Sequence, residues 1–153
     1  MLYFAYGHNM DEEILRERGV AFTTLGKGKA RNVRLVFHKP ANNGTGMADL
    51  QDTHGNEVEG VVFEVSEESL ARLDFYEQVD KGHYRRGTIT IQTARGELPC
   101  EVYRAAKFRN GLKPSPEYLA MLIRGAEQHH LFPDYLTFLK SHVTEGGGST
   151  GVK

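Results

Sequence analysis

Two short segments of alternating residues, separated by a turn, constrain this chain more than any other feature of its sequence. In residues 88–92, Ile89 and Ile91 fall on one face of a strand, and residues 100–106 form a second strand. Arg95-Gly96 lies between them and is typical of a turn, so residues 88–106 are predicted to form a β-hairpin. Because hairpin strands pair antiparallel, this feature favours a mostly antiparallel sheet.

Other strand and helix signals alternate along the chain. Strand character is found in residues 2–6, 32–38, 47–50 and 58–65, and helix signals begin at Asp11, Ser66, Ser115 and Pro133. Residues 25–29, 39–46 and 54–56 contain glycine, proline or asparagine and are predicted to be turns or loops. The pattern predicts an α+β fold with a small mixed, mostly antiparallel, barrel-like sheet and flanking helices.

The domain organisation follows from length and from the composition of the C-terminal end. A chain of 153 residues fits one domain, which we predict over residues 1–143, with no internal repeat. Residues 144–153 contain Gly146-Gly147-Gly148-Ser149 and are predicted to be a flexible tail.

Composition excludes several functional classes. Lysine and arginine total 19 against 20 aspartates and glutamates, so the chain has no basic excess with which to bind nucleic acid. One cysteine, Cys100, excludes an internal disulfide framework, and none of the seven histidines lies in a compact metal-ligand spacing. No apolar segment approaches the roughly 20 residues of a membrane span. We therefore expect a cytoplasmic protein with no metal, no membrane partner and no nucleic-acid partner.

Glu77 lies where the apolar stripe of a helix predicts another hydrophobic residue. The helix that begins after Ser66 places Leu70 and Leu73 on one face, and position 77 continues this stripe. No lysine or arginine within that helix is spaced to pair with the carboxylate. Burial of an unpaired carboxylate raises its pKa, which suits a group that takes up and delivers protons. The alternative is a glutamate in water at the end of a helix.

A short loop, residues 6–10, joins the first strand to the first helix. Its backbone N–H groups precede a helix and are free to bind an anion. Gly7 allows a ligand to approach closely, and Asn9 tolerates unusual backbone angles. The alternative is an ordinary strand-to-helix turn.

Several short motifs occur in order between residues 2 and 140. The opening Tyr3-Phe4-Ala5-Tyr6-Gly7-His8-Asn9-Met10 is followed by Leu73-Asp74-Phe75-Tyr76-Glu77 and by Gly82-His83-Tyr84. Further matching segments are residues 46–50, 58–65, 113–118, 125–126 and 131–135. Together these motifs resemble the γ-glutamylcyclotransferase family, with its YFAYGSN opening, its LDxxE segment and the Gly-x-Tyr after it.

The resemblance implies an enzyme with a pocket at one mouth of a small α+β barrel. Such an enzyme cleaves γ-glutamyl amino acids or amines into 5-oxoproline and the free amine, without a metal or organic cofactor. Glu77 would then be the general acid and base. The residues that would hold the γ-glutamyl group are Tyr6, Gly7, His8, Asn9 and Met10, and those that would line the pocket are Tyr84, Tyr103 and Tyr118. A monomer or a homodimer is expected.

Two residues depart from the family pattern, and several alternatives stay open. His8 stands where serine is usual, and Gln78 stands where glycine often follows the glutamate. The opening Tyr-Gly-x-Asn favours the γ-glutamyl amino acid branch over the γ-glutamylamine and glutathione-specific branches. The alternatives are removal of a γ-glutamyl group from a specialised metabolite, and a catalytically silent module that binds a γ-glutamyl group or a carboxylate, which the change at His8 motivates.

Overall fold

Five strands of the computed structural model, which describes residues 1–146, close into a barrel in the order β1-β3-β2-β4-β5. The strands are β1 (Leu2–Ala5), β2 (Phe22–Pro40), β3 (Gly46–Val65), β4 (Tyr84–Thr93) and β5 (Gly96–Ala105). Strands β1 and β5 pair parallel, and every other neighbouring pair is antiparallel. The predicted α+β fold with a mixed, mostly antiparallel, barrel-like sheet is therefore confirmed, as is the hairpin formed by β4 and β5.

The long hairpin of β2 and β3 corrects two sequence predictions. Residues 25–29, predicted as a turn, lie within β2, where Gly28 pairs with Gly60. A Cβ atom at Gly28 would lie 2.5 Å from Ile91 Cγ2, so this glycine serves close packing between strands and not chain reversal. Residues 54–56, also predicted as a turn, lie within β3 as an irregularity of the ladder: Arg31 pairs with Glu57, but Val33 pairs with Asp52.

The helices begin where the capping residues predict. They are α1 (Glu12–Glu17), α2 (Glu67–Tyr76), α3 (Pro116–Gln128) and α4 (Pro133–Lys140), with 3-10 turns at His8–Met10 and Val79–Lys81. The side chains of Asp11, Ser66 and Ser115 each accept a hydrogen bond from a backbone N–H in the first turn of α1, α2 and α3. These local hydrogen bonds fix the residues at which α1, α2 and α3 begin.

Helix α3 packs against the N-terminal part of the chain. Its predicted stripe Leu119, Leu122, Ile123 and Ala126 is buried. A Cβ atom at Gly125 would lie 2.8 Å from Met10 Cβ, so this position of α3 has room only for a glycine. Arg124 Nε donates to Asp11 Oδ2 at 2.6 Å, and the two contacts hold α3 on the segment between β1 and α1.

The C-terminal end is held against the domain as far as the structure describes it. Thr144 is buried, and the Glu145 N–H donates to Pro114 O at 2.8 Å. The start of the predicted tail therefore packs onto the domain, whereas residues 147–153 lie outside the described residues. None of the helices within residues 1–146 is both long and apolar enough to span a membrane.

Candidate active site

A pocket gathers residues from six parts of the chain, among them strands β1, β3, β4 and β5. Its lining residues are Tyr3, Tyr6, Gly7, His8, Asn9, Ala48, Glu77, Tyr84, Tyr103 and Tyr118. The structure thus brings together all the residues that the sequence nominated except Met10. It adds Tyr3 and Ala48, which the sequence did not single out as site residues.

Glu77 lies at the end of α2 and points inward, as the apolar stripe predicts. Leu70 and Leu73 are buried on the same face, and the Glu77 N–H donates to Leu73 O at 2.8 Å. The Glu77 side chain is only 11% exposed. After it, Gln78 adopts a left-handed conformation with φ 53°, which glycine adopts without steric cost. Helix α2 is therefore followed by the left-handed conformation that glycine, the residue often found here in the family, adopts easily, although glutamine occupies the position.

The prediction that Glu77 is unpaired is wrong. Arg18, the residue that follows α1, places its Nη1 atom 3.8 Å from Glu77 Oε1, and the Arg18 side chain is 18% exposed. Arg18 and Glu77 are far apart in the sequence. Residue spacing within one helix therefore could not predict this pair. No local pattern distinguishes Arg18 from the other arginines of the chain.

Asn9 links the charged groups of the pocket. Its Nδ2 group donates to Glu77 Oε1 and to the Tyr3 hydroxyl, both at 2.9 Å, and its Oδ1 atom accepts from Arg18 Nη1 at 3.0 Å. All the hydrogen-bonding groups of its side-chain amide are therefore engaged. Asn9 fixes the orientation of the carboxylate, which explains why an amide suits this position.

Burial and charge act in opposite directions on the Glu77 carboxyl. Burial raises its pKa, and this effect outweighs the lowering by Arg18, by the hydrogen bond from Asn9 and by Lys39. The net pKa is raised above the ordinary value. A carboxyl in this setting exchanges its proton closer to neutrality than a glutamate in water, as a proton shuttle requires.

His8 reaches into the pocket but carries no charge there at neutral pH. Its ring meets Tyr118 edge to face, with centroids 5.3 Å apart. Burial, and secondarily the charge of Arg18, lower the pKa of His8 to about 3. The difference from the family serine is therefore one of size and shape, not of charge.

The tyrosines of the pocket use their hydroxyl groups to hold its walls. Tyr84 donates to Ala48 O at 2.8 Å, and Tyr118 accepts from Ala48 N at 3.0 Å, so that β3 is held from two sides. Tyr103 donates to Asp74 Oδ1 at 2.6 Å and thereby ties β5 to α2, the helix that carries Glu77. These residues line the pocket with ring faces and edges and keep its shape rigid.

Met10, which the sequence nominated together with the loop, is packed behind the pocket and not among its lining residues. Its side chain is fully buried and does not line the pocket, because the 3-10 turn directs it toward α3. Its carbonyl oxygen is 2.9 Å from His129 Nε2. The loop therefore presents Gly7, His8 and Asn9 to the pocket, and Met10 secures the loop from behind.

Two further kinds of site to consider are a metal centre and a reactive cysteine. Within residues 1–146, no group of three His, Cys, Asp or Glu side chains is arranged to hold a metal ion. Cys100 is buried, as predicted, and burial raises the pKa of its thiol to about 11, which disfavours a nucleophilic thiolate.

Comparisons with known proteins show which proteins this chain is similar to. The model of the AIG2-like family matches residues 57–139. Gamma-glutamylcyclotransferase from Bos taurus is 30% identical over 146 residues, which cover 92% of this chain and 77% of that protein. The Homo sapiens protein of the same name is 28% identical over 146 residues, which again cover 92% of this chain and 77% of that protein.

Solved structures extend the likeness to the whole fold. A structure named gamma-glutamyl cyclotransferase superposes with a TM-score of 0.89 and 26% identity, covering 99% of this chain and 94% of the other. The Bacillus subtilis protein YkqA has the same fold at a TM-score of 0.84 and 23% identity, over 92% of this chain and 52% of its own. From the family match and the bovine relative, we conclude that this chain belongs to the AIG2-like family and to the gamma-glutamylcyclotransferases.

Proposed function

We propose that this protein is a γ-glutamylcyclotransferase that releases 5-oxoproline and a free amine from a γ-glutamyl amino acid or amine. One observation carries the proposal: the nearly buried Glu77 carboxylate, held by Asn9 and Arg18, faces a tyrosine-lined pocket. The names of the bovine and human relatives support the same reaction.

The reaction is an internal aminolysis. The α-amine of the substrate attacks its own γ-amide carbon, a five-membered ring closes, and the bond to the leaving amine breaks. Because the nucleophile is tethered to the carbon that it attacks, its effective concentration is high. The enzyme must remove a proton from the substrate ammonium and add one to the leaving amine.

Glu77 can perform both transfers in turn. In two successive transfers, the carboxylate takes a proton from the α-nitrogen and the resulting carboxylic acid delivers it to the leaving nitrogen. The α-nitrogen thus becomes the ring N–H, the amine departs as an ammonium, and Glu77 returns to the carboxylate, so that no net proton is consumed. Burial raises the Glu77 pKa and favours the acid, whereas Arg18 favours the carboxylate. The opposition of these two effects keeps both forms accessible, which a single group with two successive roles needs.

The loop before α1 supplies the remaining binding groups. The N–H groups of His8 and Asn9 begin a 3-10 turn, and the first N–H groups of such a turn have no partner within it. They are suited to hold the α-carboxylate of the substrate or the oxyanion that develops on the γ-carbon. His8 narrows the pocket without adding charge.

Release of 5-oxoproline tests the proposal. The substrates are γ-Glu-Ala, γ-glutamyl-ε-lysine, glutathione and a γ-glutamyl alkylamine, each assayed with wild type, Glu77→Gln and the control Glu68→Gln. Glu68 lies in the exposed first turn of α2 and tests the same chemical change away from the pocket. We expect turnover of at least one compound by wild type and Glu68→Gln, and essentially none by Glu77→Gln with its fold intact.

Two results would contradict the proposal. Retained turnover in Glu77→Gln would remove Glu77 from the mechanism. Calorimetric binding of these compounds by wild type with no 5-oxoproline formed would indicate the silent binding module instead.

A further inference from the structure

A second cavity, which we call the lysine cavity, lies beyond Tyr84 from the Glu77 pocket. Its volume is about 230 Å3, and its lining residues are Lys39, Pro40, Lys81, Gly82, His83 and Lys107. Three lysines and one histidine therefore line a space to which no acidic residue contributes. The proposed reaction as described so far does not use these residues.

The lysines of the lysine cavity form no direct ion pair within the described residues. Among residues 1–146, no aspartate or glutamate lies within ion-pair distance of Lys39, Lys81 or Lys107, although many other basic side chains have such a partner. Lys81 and Lys107 are exposed, whereas Lys39 is only 6% exposed. The charge of Glu77 acts on Lys39 only from beyond ion-pair distance, and burial of the ammonium is unfavourable, so an anion in the cavity would stabilise it.

Specific contacts hold the cluster together. Lys39 Nζ donates to His83 Nδ1 at 2.8 Å and lies 5.5 Å from the centroid of the Tyr84 ring. The Ala106 N–H donates to His83 O at 3.0 Å, which fixes the start of the segment that carries Lys107 beside His83. Burial and the three lysines lower the pKa of His83, so its ring accepts the Lys39 hydrogen bond in the neutral form.

The lysine cavity adjoins the side of the pocket on which Glu77 acts. Tyr84 lines the Glu77 pocket and faces Lys39, and the charge of Glu77 raises the pKa of Lys39 against the effect of burial. In the proposed reaction Glu77 delivers a proton to the leaving nitrogen, so the leaving amine lies beside Glu77. A group attached to that amine can extend past Tyr84 toward the lysines.

From this placement we propose that the lysine cavity is an anion-binding subsite for the leaving amine, and that it selects leaving amines with two carboxylates, such as an acidic amino acid. This inference rests on the proposed function. One carboxylate is carried by every leaving α-amino acid, but Lys39, Lys81 and Lys107 together supply more positive charge than one carboxylate neutralises. Neutral and cationic leaving amines form no favourable charge interaction with the subsite.

A comparison of two substrates tests whether the lysine cavity selects acidic leaving amines. The quantity is kcat/KM for 5-oxoproline release from γ-Glu-Glu and from γ-glutamyl ethylamide, which differ in the charge of the leaving amine. The variant is Lys81→Ala/Lys107→Ala, because both side chains are exposed and their removal spares the core. We expect γ-Glu-Glu to be the better substrate of wild type, and the variant to lower its kcat/KM about tenfold while changing the ethylamide less than about twofold.

The matched control removes the same charge elsewhere. Lys113→Ala/Lys140→Ala also deletes two exposed lysines, and Lys140 pairs with Glu127 on the helical side of the molecule. This control should leave both substrates unchanged. An equal loss in variant and control, an equal loss for both substrates, or no loss at all would overturn the proposal.

A binding measurement separates this proposal from the proposed function. Glutarate, a dicarboxylate that cannot be turned over, is titrated into wild type while the His83 ring signal is followed by NMR. We expect a saturable shift that is absent in Lys81→Ala/Lys107→Ala. If no γ-glutamyl compound releases 5-oxoproline but glutarate binds in this way, the function fails and the anion site stands. If γ-Glu-Glu is turned over but glutarate causes no shift, the function stands and the anion site fails.

Discussion

Replacing Arg18 by methionine removes the positive charge nearest to Glu77 and keeps most of the side-chain volume. The two groups are 3.8 Å apart, with side chains 18% and 11% exposed. At an effective dielectric constant of about 20, unit charges at this distance attract by about 4 kcal/mol. Partial exposure and relaxation reduce this value, and we expect a net loss of about 2 kcal/mol in the stabilisation of the carboxylate relative to the acid.

The sign of the effect follows from the role of Glu77 as a base. Arg18 lowers the pKa of Glu77 and burial raises it, so removal of Arg18 raises this pKa further. At neutral pH less of the enzyme then carries the carboxylate that accepts the substrate proton. We expect kcat/KM at pH 7 to fall, by at most the roughly thirtyfold to which about 2 kcal/mol corresponds. The acidic limb of the pH profile should move to higher pH, and most of the activity should return in alkaline buffer.

The assay is kcat/KM for 5-oxoproline release as a function of pH, with the best substrate of the panel. Arg18→Lys keeps the charge and should keep the acidic limb near that of wild type. Arg16→Met is the matched control, because Arg16 is mostly exposed and pairs with Glu12 outside the pocket. A loss in Arg18→Met that is equal at every pH would refute the electrostatic reasoning and assign Arg18 a purely structural role.

Three further predictions concern residues around the pocket. Because burial lowers the pKa of His8 to about 3, the unfolded chain binds a proton that the folded chain does not, and stability falls as the pH drops from about 6.5 toward 3. His8→Gln should lose less stability over this range in urea denaturation, and parallel pH curves would contradict this. Gln78→Gly relieves the left-handed conformation at φ 53° and should raise the free energy of unfolding by about 1 kcal/mol, whereas a decrease would show that the glutamine side chain stabilises the helix end. Gly125→Ala places a Cβ atom 2.8 Å from Met10 Cβ; it should lower stability by about 1–3 kcal/mol and also lower kcat/KM, and unchanged kinetics would uncouple α3 from the loop.

Local sequence patterns were sufficient to predict the helices, the hairpin of β4 and β5, and the inward direction of the Glu77 side chain. Capping residues fix helix starts within a few neighbouring positions, and the spacing of Leu70, Leu73 and Glu77 is a property of one helix. The loop before α1 was also recognisable, because its motif is continuous in sequence. Each of these features depends on residues close together in the chain.

The features that the sequence did not predict depend on contacts between distant segments. The pairing of Arg18 with Glu77 is visible only once α1 and α2 are packed, and the inward turn of Met10 depends on α3. The glycines of residues 25–29 have the composition of a turn, but barrel closure uses Gly28 for close strand packing. A glycine in sequence does not by itself distinguish these two uses.

The contact of α3 with the loop before α1 has a consequence for the order in which the protein gains activity during its synthesis. A nascent chain that has just exposed Glu77 already contains Gly7, His8 and Asn9, so every proposed catalytic group has left the ribosome. Nothing yet holds Met10 and Asp11, because Gly125 and Arg124 have not been made. The pocket is therefore completed late in synthesis, because β4 and β5 must first close the barrel. Only then does α3 add Tyr118 to the pocket and hold the loop before α1 from behind.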